Sequence, residues 1–361
     1  MNLPGAPAAT ATHEQTSPRA GAGRGHRRGL RIALFAVGLA VIAGLVAAVG
    51  WGSVAENLSR IGAWFLVLTV LYTLSQAAFA AGWWVLTGPR PRPVGFGELF
   101  AAYLAGDSIN YFTSVAGEPV KADLLKGKLG FSRALATVTV HRHADVLAQW
   151  LFLTAGVGIA LWHFRLPPVA RVAVIASLLV LGIAVFAMTW GLRRGAFRPI
   201  IAGLSRIPFL ARRLGRLEES AGRFDATVGE FYTERRRSFG AAVAWCFAGW
   251  CGGLLETWII LKLLSPSGGW ATAVAIESLA MVLNNILLFI PGRVGSAEGV
   301  RIAVYALVGL TAAQGAAYAL VRRGRELLWL VPGFVVLLRR HVLGAGHWRL
   351  PEGELPEGAA R

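Results

Sequence analysis

Cysteine is nearly absent. Cys246 and Cys251 are the only two in 361 residues, and they lie five apart in an apolar run, off any shared helix face. Neither a disulfide nor a cysteine metal site is expected from them. Acidic residues are also scarce, with 19 Asp and Glu against 36 Lys and Arg. Such a balance raises nucleic acid as a partner, but the arginines fall between apolar runs and the aromatics within them. That distribution reads as membrane topology and lipid contact, and no nucleic-acid partner is expected. Nucleophile elbow, Walker loop, HExxH helix and paired-cysteine motif are all missing. No ATP site and no cofactor are expected. The short apolar/polar alternation of a transmembrane barrel is lacking too.

What the chain has in abundance is apolar length. It is 55% hydrophobic, with a mean hydropathy of +0.55. Several runs approach the roughly 20 residues that cross a bilayer, and their Ala, Leu and Val suit helices. The expected fold class is an all-α polytopic membrane protein. Residues 1–29 are rich in Ala, Gly, Pro, Thr and Arg, without apolar periodicity, and are expected to be a disordered basic segment. Residues 30–340 form the membrane domain and 341–361 a polar tail. The run 30–51 is read as an uncleaved first span, although "SVA" at 53–55 resembles a signal-peptide cleavage site. Further spans are expected at 61–87, 133–163, 169–190, 240–264 and 311–339, giving about six spanning helices. Two stretches, 97–129 and 270–308, are apolar but broken by "SVAGEP" and "IPGRVG". These are expected to be re-entrant helical hairpins.

Basic residues set the sides. "RGHRRGLR", the segment 88–96, the loop 191–239 and the tail hold most of the arginine between spans, so both termini are expected in the cytoplasm. The location implied is a bacterial plasma (inner) membrane. The loop contains "LRRGAFR", "ARRLGR" and "ERRR" and is expected to lie as an amphipathic segment on anionic lipid.

An internal repeat relates about 61–163 to 240–339, each reading as helix, broken hairpin, helix. "GFSRA" at 130–134 matches "GLTAA" at 309–313, and Asn110 with Gly117 matches Asn285 with Gly292. Glu118 precedes Arg142 by 24 residues, and Glu298 precedes Arg322 by the same step. Three crossings separate the starts of the halves, so the repeat is expected to be inverted, a design that places a binding site near the midplane.

The candidate site follows from the charges. An ionisable side chain at the centre of a membrane helix costs roughly 2.5 to 3.5 kcal/mol on insertion scales, and so faces a partner or a cavity. Arg142 with Asp145, and Arg322 with Glu326, are spaced to share a helix face, as structural ion pairs or as a headgroup site in which arginine grips phosphate. Glu118 and Glu298 flank the hairpin breaks and could orient those arginines or exchange protons, with Lys121 as an added point charge. Gly117, Pro119, Pro291, Gly292 and Gly295 mark the breaks, where freed backbone N–H groups and Arg293 favour an anion. Asn110 and Asn285 are supporting polar residues that bond either hairpin to helix or a ligand. Glu256 and Lys262 are six apart without an evident pairing and receive no role. "HRHAD" around His141 and His143 resembles a metal-binding run, but helix positions two apart point nearly opposite ways, so no metal is expected.

The blocks "GEPVKADLLKGKLGFSRALATVTVHRHAD" and "IPGRVGSAEGVRIAVYALVGLTAAQGAAYALVRRGRELLW" resemble the paired signatures of the lysylphosphatidylglycerol synthase transmembrane region, a flippase-like family with free-standing, hopanoid-associated members. The resemblance implies a lipid-translocating domain with two re-entrant elements and a central polar cavity. It maps family acids onto Glu118 and Glu298, and the arginine-plus-acid pairs onto Arg142 with Asp145 and Arg322 or Arg323 with Glu326. The short polar tail leaves no room for an aminoacyl-transferase domain, so lipid aminoacylation is not expected. The leading expectation is a translocator of a phospholipid, polyprenyl-phosphate or hopanoid-type lipid, with membrane lipids and lipid-biosynthesis enzymes as partners. A membrane enzyme or scaffold of lipid or hopanoid synthesis and a transporter of a soluble solute are the other classes.

Overall fold

The computed structural model describes residues 51–89, 91–113, 115–205, 218–286 and 295–343. Among the described residues there are twelve helices and no strand. They are α1 (Trp51–Ile61), α2 (Trp64–Trp84), α3 (Phe96–Thr113), α4 (Gly117–Leu129), α5 (Phe131–His163) and α6 (Pro168–Arg194). The chain continues with α7 (Phe197–Leu204), α8 (Glu218–Thr233), α9 (Arg236–Leu264), α10 (Trp270–Ile286), α11 (Ser296–Leu307) and α12 (Ala312–Leu343). The run 30–51 lies outside the described residues except for Trp51.

Four described helices, α2, α5, α6 and α9, are long and apolar enough to cross a membrane. On α6, Val169, Val172, Leu179, Val180, Ile183 and Phe186 all point outward and exposed, an apolar face of the kind a membrane-spanning helix turns to lipid. Helix α12 is 32 residues long and unbroken. "RRGRE" therefore sits inside a single helix over the expected span 311–339.

The expected order recurs in both halves. A first helix (α2, α9), a two-helix hairpin (α3–α4, α10–α11) and a long helix (α5, α12) follow one another twice. The matched "GFSRA" and "GLTAA" acquire a physical meaning: Gly130 (φ 73) and Gly309 (φ 82) each take the left-handed backbone at the turn into the long helix. The halves then interlock. Helix α2 packs along α9, while α5 packs on α10 and α12 on α3.

Small residues permit these crossings. A Cβ on Gly156 of α5 would lie 2.7 Å from Cβ of Ser278 on α10. One on Gly333 of α12 would lie 2.5 Å from the Leu104 carbonyl and 2.9 Å from Cβ of Ser108 on α3. Both serines turn their hydroxyls back onto their own helix, Ser278 to Val274 and Ser108 to Leu104. The backbones can therefore meet with no unpaired hydroxyl between them.

The 191–239 segment differs in part from the membrane-surface expectation. Phe224, Val228 and Phe231 of α8 are buried against Ala136, Val140 and Ala144 of α5 and Leu192 of α6. The apolar face of α8 is thus covered by the protein's own helices, not by lipid. Helix α7 does keep Phe197, Ile200 and Leu204 exposed, and Asp225 of α8 accepts the first N–H groups of α7, from Phe197 at 3.2 Å and Arg198 at 2.8 Å.

Candidate functional site

A cavity of about 390 Å³ lies between the two halves, walled by α2 to α5 on one side and α9 to α12 on the other. On the first wall, Asn110 of α3 ties the hairpin together. Its Oδ1 accepts the Gly117 N–H at 2.7 Å and its Nδ2 donates to Oε1 of Glu118 at 2.8 Å. Gly117 must lack a side chain, because a Cβ would strike the Gly106 carbonyl of the facing helix. Lys121, one turn beyond Glu118, brings Nζ to 3.3 Å from the same Oε1 and lies over the Tyr103 ring. On α5, Arg142 donates to Asp145 at 3.1 Å while about half of its side chain stays open to the cavity. His141 faces the cavity and hydrogen-bonds through Nε2 to the Phe79 carbonyl at 2.9 Å, which fixes the proton on that nitrogen.

The second wall is more tightly knitted. Glu298, in the first turn of α11, accepts the Gly295 N–H on Oε2 at 2.7 Å and Arg323 Nε on Oε1 at 2.5 Å. Arg323 also donates to the Tyr111 hydroxyl and lies 3.4 Å from Glu326. Arg301 donates to the other oxygen of Glu326 at 2.9 Å. Arg322 pairs with Glu277 of α10, whose Oε2 also accepts the hydroxyls of Thr257 at 2.6 Å and Tyr318 at 3.1 Å. Arg325 pairs with Glu256 at 2.7 Å and stacks over Tyr72, 3.8 Å from its ring centre.

The repeat extends to this chemistry. Glu118 and Lys121 stand three apart, as do Glu298 and Arg301. Arg142 and Asp145 stand three apart, as do Arg323 and Glu326. In the first half the four residues make two separate pairs, whereas in the second they join into one chain, Glu298 to Arg323 to Glu326 to Arg301.

Several sequence assignments shift accordingly. Of the two arginines offered as counterparts of Arg142, Arg323 is the one that pairs with Glu326, and Arg322 reaches across to Glu277. Positions three and four apart share a helix face, so only the neighbouring helix could choose between them. Glu256 is 1% exposed and ion-paired, where no role was expected. Asn284, not Asn285, lines the cavity. Pro119 sits in the first turn of α4, where its missing N–H costs little. Arg293, Pro291 and Gly292 lie outside the described residues. His143 faces away from the cavity: the Tyr232 hydroxyl donates to its Nδ1 at 2.6 Å and its Nε2 to Thr189 at 2.8 Å. Burial holds the Tyr232 phenol above its ordinary range, consistent with its donor role. Asp107, Glu277, Arg301 and Arg325 join the site without having been singled out. Arg301 was legible, since it repeats the step from Glu118 to Lys121.

Unpartnered atoms divide by wall. Among the described residues, Glu118 Oε2 and Asp145 Oδ1 of the first wall are buried acceptors with no donor, whereas the second wall carries mainly donors with no acceptor, Arg301 Nη1, Trp250 Nε1 and Trp329 Nε1 among them, beside one acceptor, Asn284 Oδ1. Buried polar atoms are ordinarily satisfied, so these are the hydrogen-bonding groups the cavity wall leaves unspent.

Helices that face outward with Val, Ile and Phe, and that hold their charges around an internal cavity, define a helical membrane protein with a polar cavity between its helices. The chain belongs to the family described as Lysylphosphatidylglycerol synthase TM region, which matches residues 33–349. Membership places the protein in a membrane and its work in lipid metabolism or transport. No curated protein and no solved structure matches the chain.

Proposed function

We propose that the protein translocates an amphipathic lipid, passing its polar headgroup through the cavity between the halves while the tail stays in the bilayer. The observation that carries this reading is the two-sided lining. Arg301, Trp250 and Trp329 offer donors to phosphate oxygens, and Glu118 and Asp145 offer acceptors to hydroxyl or ammonium groups of the same headgroup. A phospholipid presents both kinds of group, a polyprenyl-phosphate lipid the phosphate oxygens, and a hopanoid-type lipid with a polar head the hydroxyls.

The halves are read as an inverted repeat whose hairpins, α3–α4 and α10–α11, enter and leave the bilayer on one side. Rocking of one half against the other then exposes the site alternately. Arginine in the 191–239 segment sets both termini in the cytoplasm of a bacterial plasma membrane. The site is read as binding rather than catalytic, because six of its acids are already engaged by bases.

The test is lipid movement in proteoliposomes holding headgroup-labelled anionic, zwitterionic or isoprenoid-phosphate lipid. Wild type is expected to move at least one class, and Arg142→Ala and Glu298→Gln to lose movement while remaining folded. Folded wild type that moves none of them sinks the reading.

A further inference from the structure

The charges around the cavity do not balance. Six bases meet six acids in the ion pairs described above. A seventh acid, Asp107 of α3, lines the cavity directly, whereas Glu256 and Glu298 of those pairs stand behind its wall. Its Oδ2 accepts only the Gln76 amide at 3.3 Å, and among the described residues it forms no ion pair.

Its surroundings explain why no base is spare. From α4, Lys121 and Glu118 act on it, and from α5, Arg142 and Asp145 do so. Each of those bases is already committed, Lys121 to Glu118 and Arg142 to Asp145. From α2 come Tyr72 and Gln76, and on α3 itself Tyr103, none of which carries positive charge. Helix α12 packs on α3 through the Leu330 carbonyl, and its nearest charges, Arg325 and Glu326, belong to pairs of their own. The first wall therefore holds three acids against two bases when all are ionised.

We propose that Asp107 is the proton-carrying group of the cavity, and that its protonation couples headgroup passage to a transmembrane proton gradient. This rests on the translocator reading. One proton converts the carboxylate to the neutral acid and leaves the first wall with as many negative as positive charges. An anionic headgroup then enters a cavity one unit more positive than before, so lipid and proton move together in the same direction. When the site opens to the other side, loss of the proton restores the negative charge and expels the headgroup. A proton suits Asp107 better than a metal ion does. Hard cations need a cage of several oxygens, and no group of three or more His, Cys, Asp or Glu side chains converges among the described residues.

Two measurements on the full-length protein separate the proposal from the reading beneath it. In lipid nanodiscs, infrared difference spectra between buffer of about pH 6, where exposed carboxyls stay ionised, and alkaline buffer are expected to show a protonated-carboxyl band in wild type. The band should vanish in Asp107→Asn and persist in Glu98→Gln, whose carboxylate pairs with Lys128 away from the cavity, and its persistence in Asp107→Asn overturns the proposal. In proteoliposomes with anionic labelled lipid, a gradient of about one pH unit is expected to shift the leaflet ratio about tenfold in wild type, the value for one proton per lipid. Asp107→Asn is expected to lose the response to the gradient, so that any lipid it moves distributes equally between the leaflets. Wild type that moves lipid but ignores the proton gradient, or follows a sodium gradient instead, overturns the coupling and leaves the translocator standing. If wild type moves no lipid, reading and coupling fall together, and the infrared band alone then shows whether Asp107 holds a proton.

Discussion

Glu298 receives Arg323 on one carboxylate oxygen and the Gly295 amide on the other, at 2.5 Å and 2.7 Å. One side chain thereby starts α11 and neutralises a buried cation of α12. Glu298→Ala strands the guanidinium and removes the helix-start contact. A loss of about 3 to 5 kcal/mol is expected from breaking the buried pair. Glu298→Gln retains an oxygen for the amide and loses less. Denaturant unfolding in mixed micelles, followed by tryptophan fluorescence, is expected to rank wild type above Gln and Gln above Ala.

Arg142 and Arg325 are both paired arginines, yet they are expected to respond in opposite ways. Arg142 is half open to the cavity, so truncation to Ala is expected to cost less stability than removal of a fully buried arginine. Arg325 is 1% exposed, and its removal leaves Glu256 charged and buried, at a cost of about 3 to 5 kcal/mol. Lipid movement and unfolding measured on the same preparations check the contrast. Arg142→Ala is a folded protein without transport, whereas Arg325→Ala is poorly folded. Equal stability losses for the two would contradict this account.

The crossing of α12 over α3 leaves no room for a methyl group at Gly333. Gly333→Ala is expected to cost about 1 to 3 kcal/mol through overpacking, and Gly156→Ala a similar amount at the equivalent crossing of α5 and α10. Pairing Gly333→Ala with Ser108→Ala relieves part of the clash. The double variant is therefore expected to unfold at a higher temperature than the Gly333 single variant.

Tyr232 reaches from α8 to His143 at 2.6 Å. Tyr232→Phe leaves a buried ring nitrogen without its donor, a loss of about 1 to 3 kcal/mol. Because His143 faces away from the cavity, lipid movement by the folded variant is expected to match wild type. A transport defect without a stability defect would show that α8 acts on the site.

The parts of this architecture that depend on local chain chemistry were legible beforehand. Apolar runs and glycine placement announced the repeated helix, hairpin and long helix, and Arg142, Asp145, Glu118 and Glu298 stood out as charges that apolar sequence tolerates only for a reason. Partner choice was not legible. Arg322 and Arg323 present equally good spacings to Glu326, and Glu277 on α10 decides the matter by taking Arg322. Glu256 could be read as orphaned only because its partner, Arg325, lies far along the chain on another helix. Asp107 is visible in the sequence as one acid among many, and its lack of a base emerges only once every base has been placed.

The exchange of long helices, α5 onto α10 and α12 onto α3, bears on how the chain is made. When α5 leaves the ribosome its eventual neighbour is still untranslated, so the groove around Gly156 must wait in the bilayer against lipid tails. The second half arrives with the matching ridge, and with the chain of charges from Glu298 to Arg301 that closes the cavity. Neither half is a finished object, and each serves as the template on which the other completes its fold.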